Sequence, residues 1–355
     1  MTGSNPPTGV LLVNLGTPDA PRPREVRRYL AEFLADPRVI DLPAVPRWLL
    51  LHGVILRTRP RASAAQYQKI WTEAGSPLLV HGLALRDGVA AALGDGYRVE
   101  LGMRYGRPSL GDALDALDAA GVARIAVLPL FPQYSEAATG SAVARVRELH
   151  AARPGAPPLQ VLGDFHAEPG FIEAFSQVAR PHLERFHPDH VLFSYHGLPE
   201  RQVRAADASG SHCFASEGCC DAVGEVNRRC YRAQCFATTR ALCASLGLSE
   251  EATSVAFQSR LGRTPWIRPY TDVRIPELAA AGVKRLAVLC PAFVADCLET
   301  LEEIGIRARE QWRELGGEAL ELIPCPNAHP AWVDAVANML RSETGAVHGE
   351  PAPGG

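Results

Sequence analysis

Two stretches of this chain are close copies of one another: Ala119-Ala120-Gly121-Val122-Ala123-Arg124-Ile125-Ala126-Val127-Leu128-Pro129-Leu130-Phe131 and Ala280-Ala281-Gly282-Val283-Lys284-Arg285-Leu286-Ala287-Val288-Leu289-Cys290-Pro291-Ala292-Phe293. Such self-similarity is the mark of a duplicated unit. Each copy reads as a helix ended by glycine, a short turn and a continuous apolar strand of the kind that a parallel sheet buries on both faces. The repeat therefore predicts an α/β protein: two duplicated Rossmann-like domains, each a parallel sheet flanked by helices. A strand at Gly9 to Asn14 opens the first half, and the apolar run before His196 occupies the corresponding place in the second. Helical spacing of apolar residues marks Arg24 to Leu34, Gly82 to Leu93, Leu110 to Ala120, Ala142 to Ala152 and Phe171 to Phe186.

A chain of 355 residues exceeds one typical core, which agrees with two domains. The boundary is expected near Asp164 to Pro169, giving domains over 9–165 and 166–341, with a last helix at Ala331 to Leu340 free to return to the first. Residues 1–8 and the Gly- and Pro-rich 342–355 are expected to be disordered. With 47% hydrophobic and 21% charged residues and a formal net charge of -3, the composition is that of an ordinary globular protein and implies no nucleic-acid partner. The N-terminus lacks the basic start and apolar core of a secretory signal, and no run is long enough to span a bilayer, so a cytoplasmic location is expected. There the nine cysteines would stay reduced. The apolar run over 42–56, broken by Pro43 and Pro46, reads either as a core helix or as an exposed lip that lies against a membrane or a greasy substrate.

In His190-Val191-Leu192-Phe193-Ser194-Tyr195-His196-Gly197-Leu198-Pro199 a buried strand opens into a loop at a histidine. Loops at strand C-termini are where doubly wound sheets place their chemistry. The second copy of the repeat runs on into Asp296-Cys297-Leu298-Glu299, whose acids have the spacing of a capping box. His196 and Glu299 follow strands of the same domain and can also meet across one cleft. A histidine facing a carboxylate can accept protons and pass on a divalent cation.

With these residues the chain resembles the ferrochelatases, which insert ferrous iron into a porphyrin. The likeness runs from Leu12 to about Leu340 and includes Val13-Asn14-Leu15-Gly16-Thr17-Pro18, Tyr67-Gln68-Lys69-Ile70-Trp71, Gly75-Ser76-Pro77-Leu78, Met103-Arg104-Tyr105-Gly106, Pro129-Leu130-Phe131-Pro132-Gln133-Tyr134-Ser135, Phe257-Gln258-Ser259-Arg260-Leu261-Gly262 and Pro265-Trp266. It implies an active-site cleft between the two domains, with His196 and Glu299 binding iron or taking up pyrrole protons. It further implies porphyrin contacts from Leu15, Tyr67, Ser76, Arg104, Tyr105, Tyr134, Ser135 and Trp266. Leu15 stands where the coproporphyrin-specific branch resembles a tyrosine, which favours protoporphyrin IX as substrate and a location that includes the inner membrane face. The alternatives are a coproporphyrin ferrochelatase, another tetrapyrrole chelatase, or a non-catalytic tetrapyrrole or metal binder.

One segment, 205–231, interrupts the family pattern with Cys213, Cys219, Cys220 and Cys230. So many thiols in a Gly- and Ser-rich loop suit a [2Fe-2S] cluster or a structural zinc, with free or buried thiols as the plain alternative. Some ferrochelatases carry such a cluster, so the resemblance favours [2Fe-2S]. Cys235, in the shared Tyr231-Arg232-Ala233-Gln234-Cys235 segment, reads as packing.

Overall fold

A computed structural model describes residues 6–342 apart from Arg263. It contains two four-stranded sheets, all of whose pairings are parallel. The first is built from β1 (Thr8–Thr17), β2 (Tyr97–Gly106), β3 (Arg124–Pro129) and β4 (Leu159–Val161), in the order β2-β1-β3-β4. The second takes β5 (His190–His196), β6 (Thr253–Gln258), β7 (Arg285–Leu289) and β8 (Ala319–Leu322) in the order β6-β5-β7-β8. Position for position the two orders are the same, and the repeated segments become the equivalent strands β3 and β7. The expectation of two duplicated Rossmann-like sheets is met. Expectations for 1–5 and 343–355 lie outside the described residues, and Thr8, expected in a disordered leader, already belongs to β1.

The central strands are apolar because helices cover both faces. Val10 to Val13 and Val191 to Phe193 are buried almost completely, which alternation with polar residues would not allow. The helices begin where local chemistry starts them. Ser109 and Asp112 form a capping box on helix Leu110–Ala119, and Glu168 caps helix Pro169–Phe186, which has a proline in its first turn. The last helix, Pro330–Arg341, packs back onto the first half. A Cβ built on Gly88 of helix Pro77–Leu93 would come within 2.9 Å of Val333, and Trp332 packs against the rings of Phe165 and Phe171.

Within 42–56 the chain forms a helix, Ala44–Leu50, that runs through a π-helical turn into helix Leu56–Ile70. Leu51 and Leu56 point inward, whereas Val45, Trp48, Leu49 and Val54 are each more than half exposed. Most of the large apolar side chains of this stretch are thus exposed, with Leu51 and Leu56 holding it to the core.

Candidate active site

The C-terminal ends of the two sheets face one another. Gln133, just past β3, donates through Nε2 to the Pro291 carbonyl just past β7 at 3.2 Å and to Thr238 Oγ1 at 3.0 Å. Leu15, at the end of β1, shares an apolar cluster with Leu298 and Leu301 on either side of Glu299, and with Tyr29, Leu51, Leu56, Tyr67 and Tyr105. This cluster joins residues of the two halves of the chain. Lys69 reaches the buried Glu302 carboxylate at 3.2 Å, fastening the helix that carries Glu299 to helix Leu56–Ile70, and Arg307 of the same helix as Glu302 meets that carboxylate at 2.8 Å.

His196 is the last residue of β5 and is half-buried, with its ring centroid 6.4 Å from that of Phe293. Its Nδ1 lies 2.6 Å from the Gly197 carbonyl. A carbonyl only accepts, so Nδ1 carries the hydrogen, and in the neutral ring Nε2 keeps a free lone pair. The His196 carbonyl accepts the Tyr231 hydroxyl at 2.8 Å. Gly197 must be glycine here: a Cβ would sit 2.8 Å from the Gln258 carbonyl and 3.2 Å from the Trp266 ring.

Glu299 opens a π-helical stretch, Glu299–Ala308, and its carbonyl accepts Gln258 Nε2 at 2.8 Å. Gln258 in turn pairs with His196 across β5 and β6, so one residue joins the two predicted working groups. The capping box expected of Asp296 does not form. Its carboxylate accepts instead from Asn327 Nδ2 at 2.8 Å and Thr300 Oγ1 at 3.0 Å, because the chain turns before the helix and brings Asp296 against the loop after β8. Around Glu299 the buried groups stay protonated. Burial, then the Glu299 charge, push the Tyr67 hydroxyl and the Cys297 thiol well above their ordinary pKa values; for Tyr29 burial and Tyr67 come first, and Glu299 adds to them.

The remaining expected residues divide. Tyr67 and Ser76 are buried close to Leu15, and Ser76 Oγ accepts Thr17 Oγ1 at 2.7 Å. Trp266 is half-buried beside Gly197, its Nε1 donating to the Leu261 carbonyl at 2.9 Å. Tyr134 is held at its backbone N–H by Gln234 Oε1 at 2.6 Å, and its hydroxyl donates to Glu136 at 2.8 Å. Ser135 caps the short π-helix Glu136–Gly140 through the Ala138 amide. Arg104 and Tyr105 belong to an internal network. Arg104 Nη2 meets Asp36 Oδ2 at 2.6 Å and its Nε meets Ser141 Oγ at 2.8 Å, while the fully buried Tyr105 donates to Asp36 at 3.0 Å. Burial works against the Asp36 charge, but hydrogen bonds from Ser141, the Arg38 amide and Tyr105, with the Arg104 guanidinium, hold its carboxyl below the usual carboxylate range. Asp36, which completes this network, is a lone acid at the end of a helix and carries no motif.

The four loop thiols gather. Cys219 and Cys220 Sγ atoms lie 3.6 Å apart, and a hydrogen bond between Cys220 and Cys230 draws the Cys230 thiol down and pushes the Cys220 thiol up. Burial, with Cys219 nearby, raises Cys213 to about 11. All nine cysteines are free. Among the described residues no group of three or more His, Cys, Asp or Glu side chains is arranged to hold a metal ion.

Two parallel sheets of the same strand order, covered by helices, give this chain the α/β fold of the chelatases. The solved structure of SirB from Bacillus subtilis with Fe3+ has this fold: it superposes with a TM-score of 0.53 over 94% of both chains at 12% identity. Within the class the sequence is decisive. The model of the family described as Ferrochelatase matches residues 7–344. The chain is 50% identical over 338 residues to a ferrochelatase of Coxiella burnetii (strain Dugway 5J108-111), covering 95% of this chain and 94% of the relative. It is 48% identical over 336 residues to one of Legionella pneumophila (strain Lens), covering 94% and 99%. The chain belongs to the ferrochelatase family and is an enzyme, a metal chelatase of haem biosynthesis.

Proposed function

We propose that this enzyme inserts ferrous iron into protoporphyrin IX at the mouth between the two sheets, with His196 and Glu299 as the working pair. The link from β5 through Gln258 to the Glu299 carbonyl supports this most directly. Metallation removes two pyrrole protons as a partly desolvated ferrous ion enters a rigid ring. Iron is not oxidised, and the balance is one Fe2+ in and two protons out. The free Nε2 of His196 and the Glu299 carboxylate supply the two basic groups that this exchange needs, shared between receiving iron and taking protons. Tyr29, Tyr67 and Cys297, kept protonated, leave the carboxylate as the local base. Leu15, Tyr67 and Ser76 would meet the ring from the first sheet, and Trp266, Tyr134 and Ser135 from the second sheet and from the β3 loop. Arg104 and Tyr105 are committed to Asp36 and serve the frame. The apolar Leu15 favours protoporphyrin, and the lip that exposes Trp48 and Leu49 suits a peripheral seat on a membrane where that substrate dissolves. Among the described residues no helix is long and apolar enough to cross it.

We infer from donor chemistry that Cys213, Cys219, Cys220 and Cys230 would hold a [2Fe-2S] cluster; Cys219 and Cys220 lie 3.6 Å apart and Cys230 is hydrogen-bonded to Cys220. When bound, the cluster would cross-link the loop and take no part in the metallation. Anaerobic turnover of ferrous iron and protoporphyrin IX tests the whole proposal. His196→Ala and Glu299→Gln should each abolish it, and turnover of coproporphyrin alone would overturn the substrate. Purified protein should absorb in the visible and lose that absorption with Cys213→Ser; a colourless protein with stoichiometric zinc would remove the cluster.

A further inference from the structure

Gln258 ends β6 and is 2% exposed. Its backbone carbonyl accepts the Gly197 amide at 2.8 Å, which sets the course of the chain immediately after His196. Its side chain reaches the other way. Nε2 donates to the Glu299 carbonyl at 2.8 Å, while Oε1 accepts Ser194 Oγ at 2.7 Å. The Glu299 carbonyl can only accept, so the amide has one workable orientation. Ser194 Oγ, also 2.9 Å from Thr271 Oγ1, is inside the sheet and anchors that orientation.

The next residue repeats the grip one turn further along. Ser259 gives its amide and its hydroxyl to the Glu303 carboxylate at 2.9 and 2.6 Å, and does so with φ +66, a left-handed conformation that a non-glycine residue rarely holds. The last residue of β6 and the one after it thus fasten two successive turns of the helix that carries Glu299.

We propose that Gln258 is a positioning residue for metallation: its amide fixes the offset between His196 and Glu299, and so the gap through which ferrous iron reaches the ring. This rests on His196 and Glu299 being the working pair. A base and a metal-receiving group must stand at set distances from the same pyrrole nitrogens, and a displacement of about 1 Å can cost on the order of 100-fold in rate. Porphyrin binding, which draws on other residues, should be spared.

The test uses Gln258→Met, which keeps the length and loses both hydrogen bonds, and Gln258→Glu, which keeps the acceptor toward Ser194 and loses the donor to Glu299. Turnover is measured anaerobically with ferrous iron, and porphyrin affinity by quenching of porphyrin fluorescence. Both variants should lose about 10- to 100-fold in kcat, with a raised KM for iron and an unaltered porphyrin Kd. Ser194→Ala, which keeps the Nε2 bond and loses only the anchor behind it, should lose less in kcat than either Gln258 variant. Parental kcat and iron KM in either folded Gln258 variant would overturn the proposal, as would a loss of porphyrin affinity in step with kcat. If Gln258→Met does not fold, Gln258→Glu alone decides. His196→Ala and Glu299→Gln run alongside separate the two claims: turnover retained there overturns the working pair, whereas silent Gln258 variants beside an inactive pair overturn only the positioning role.

Discussion

The strand that ends at His196 begins with another histidine in the opposite condition. His190 is 6% exposed, and its Nε2 lies 2.8 Å from Ser254 Oγ, with Arg274 Nε 3.5 Å from the same hydroxyl. Burial first, then the Arg274 charge, lowers its pKa to about 4. An unfolded chain takes up this proton near pH 6.5. Between pH 6.5 and about 4 the unfolded state therefore binds a proton that the folded state refuses, and stability falls as the pH falls. The gap corresponds to about 3 kcal/mol, present as lost stability once the pH has dropped through both values. Urea unfolding from pH 7.5 to 4 on the parent and on His190→Asn isolates it, because carboxylates such as Asp36, whose lowered pKa also costs stability in acid, titrate alike in both. The stability difference should shift by about 3 kcal/mol in favour of the variant as the pH falls, with little change above pH 6.5. Parallel curves, or a His190 ring resonance that titrates above pH 6, would refute the reasoning.

Arg104→Met strips the guanidinium from a buried carboxylate and should cost about 3–5 kcal/mol in urea unfolding, with part recovered by adding Asp36→Asn; porphyrin affinity of the folded fraction should not change. Gly197→Ala places a Cβ 2.8 Å from the Gln258 carbonyl, so it should cut turnover more than it lowers the melting temperature, and parental kcat would remove the close packing from the argument. Replacing both Trp48 and Leu49 by Ser should abolish co-sedimentation with phosphatidylcholine vesicles and preserve turnover of detergent-dispersed porphyrin; undiminished vesicle binding would discount the lip.

The duplicated segment carried most of the fold because a strand buried on both faces has no polar residues to disguise it. β3 and β7 fall where the repeat puts them, and helix Leu110–Ala119 ends one residue short of its expected end. β2 was harder: Arg98, Glu100 and Arg104 break its apolar run, since it lies at the edge of its sheet. The short edge strands β4 and β8 give no pattern at all. His196 was legible as a strand-end histidine. The helix of Glu299 was legible in place but not in kind, because a π-helical winding leaves no composition signal and Asp296 found Asn327 before it could cap. Arg104 is expected from the resemblance to contact the porphyrin; its guanidinium also pairs with Asp36, 68 residues away in sequence, a partner that no local pattern announces. Gln258 was visible only as part of a shared motif, since nothing local tells an amide in a sheet that it will span two others.

Helix Pro330–Arg341 lies on the Gly88 face of helix Pro77–Leu93, and its Trp332 fills the angle between Phe165 and Phe171. During synthesis the first sheet has all its strands once residue 161 is made, yet this part of its covering comes from the far end of the chain. A nascent first half thus waits with an apolar flank open for as long as the ribosome takes to make the second, a span in which a chaperone would find something to hold. Cutting the chain near residue 165 would leave that flank without its cover, however alike the two halves are.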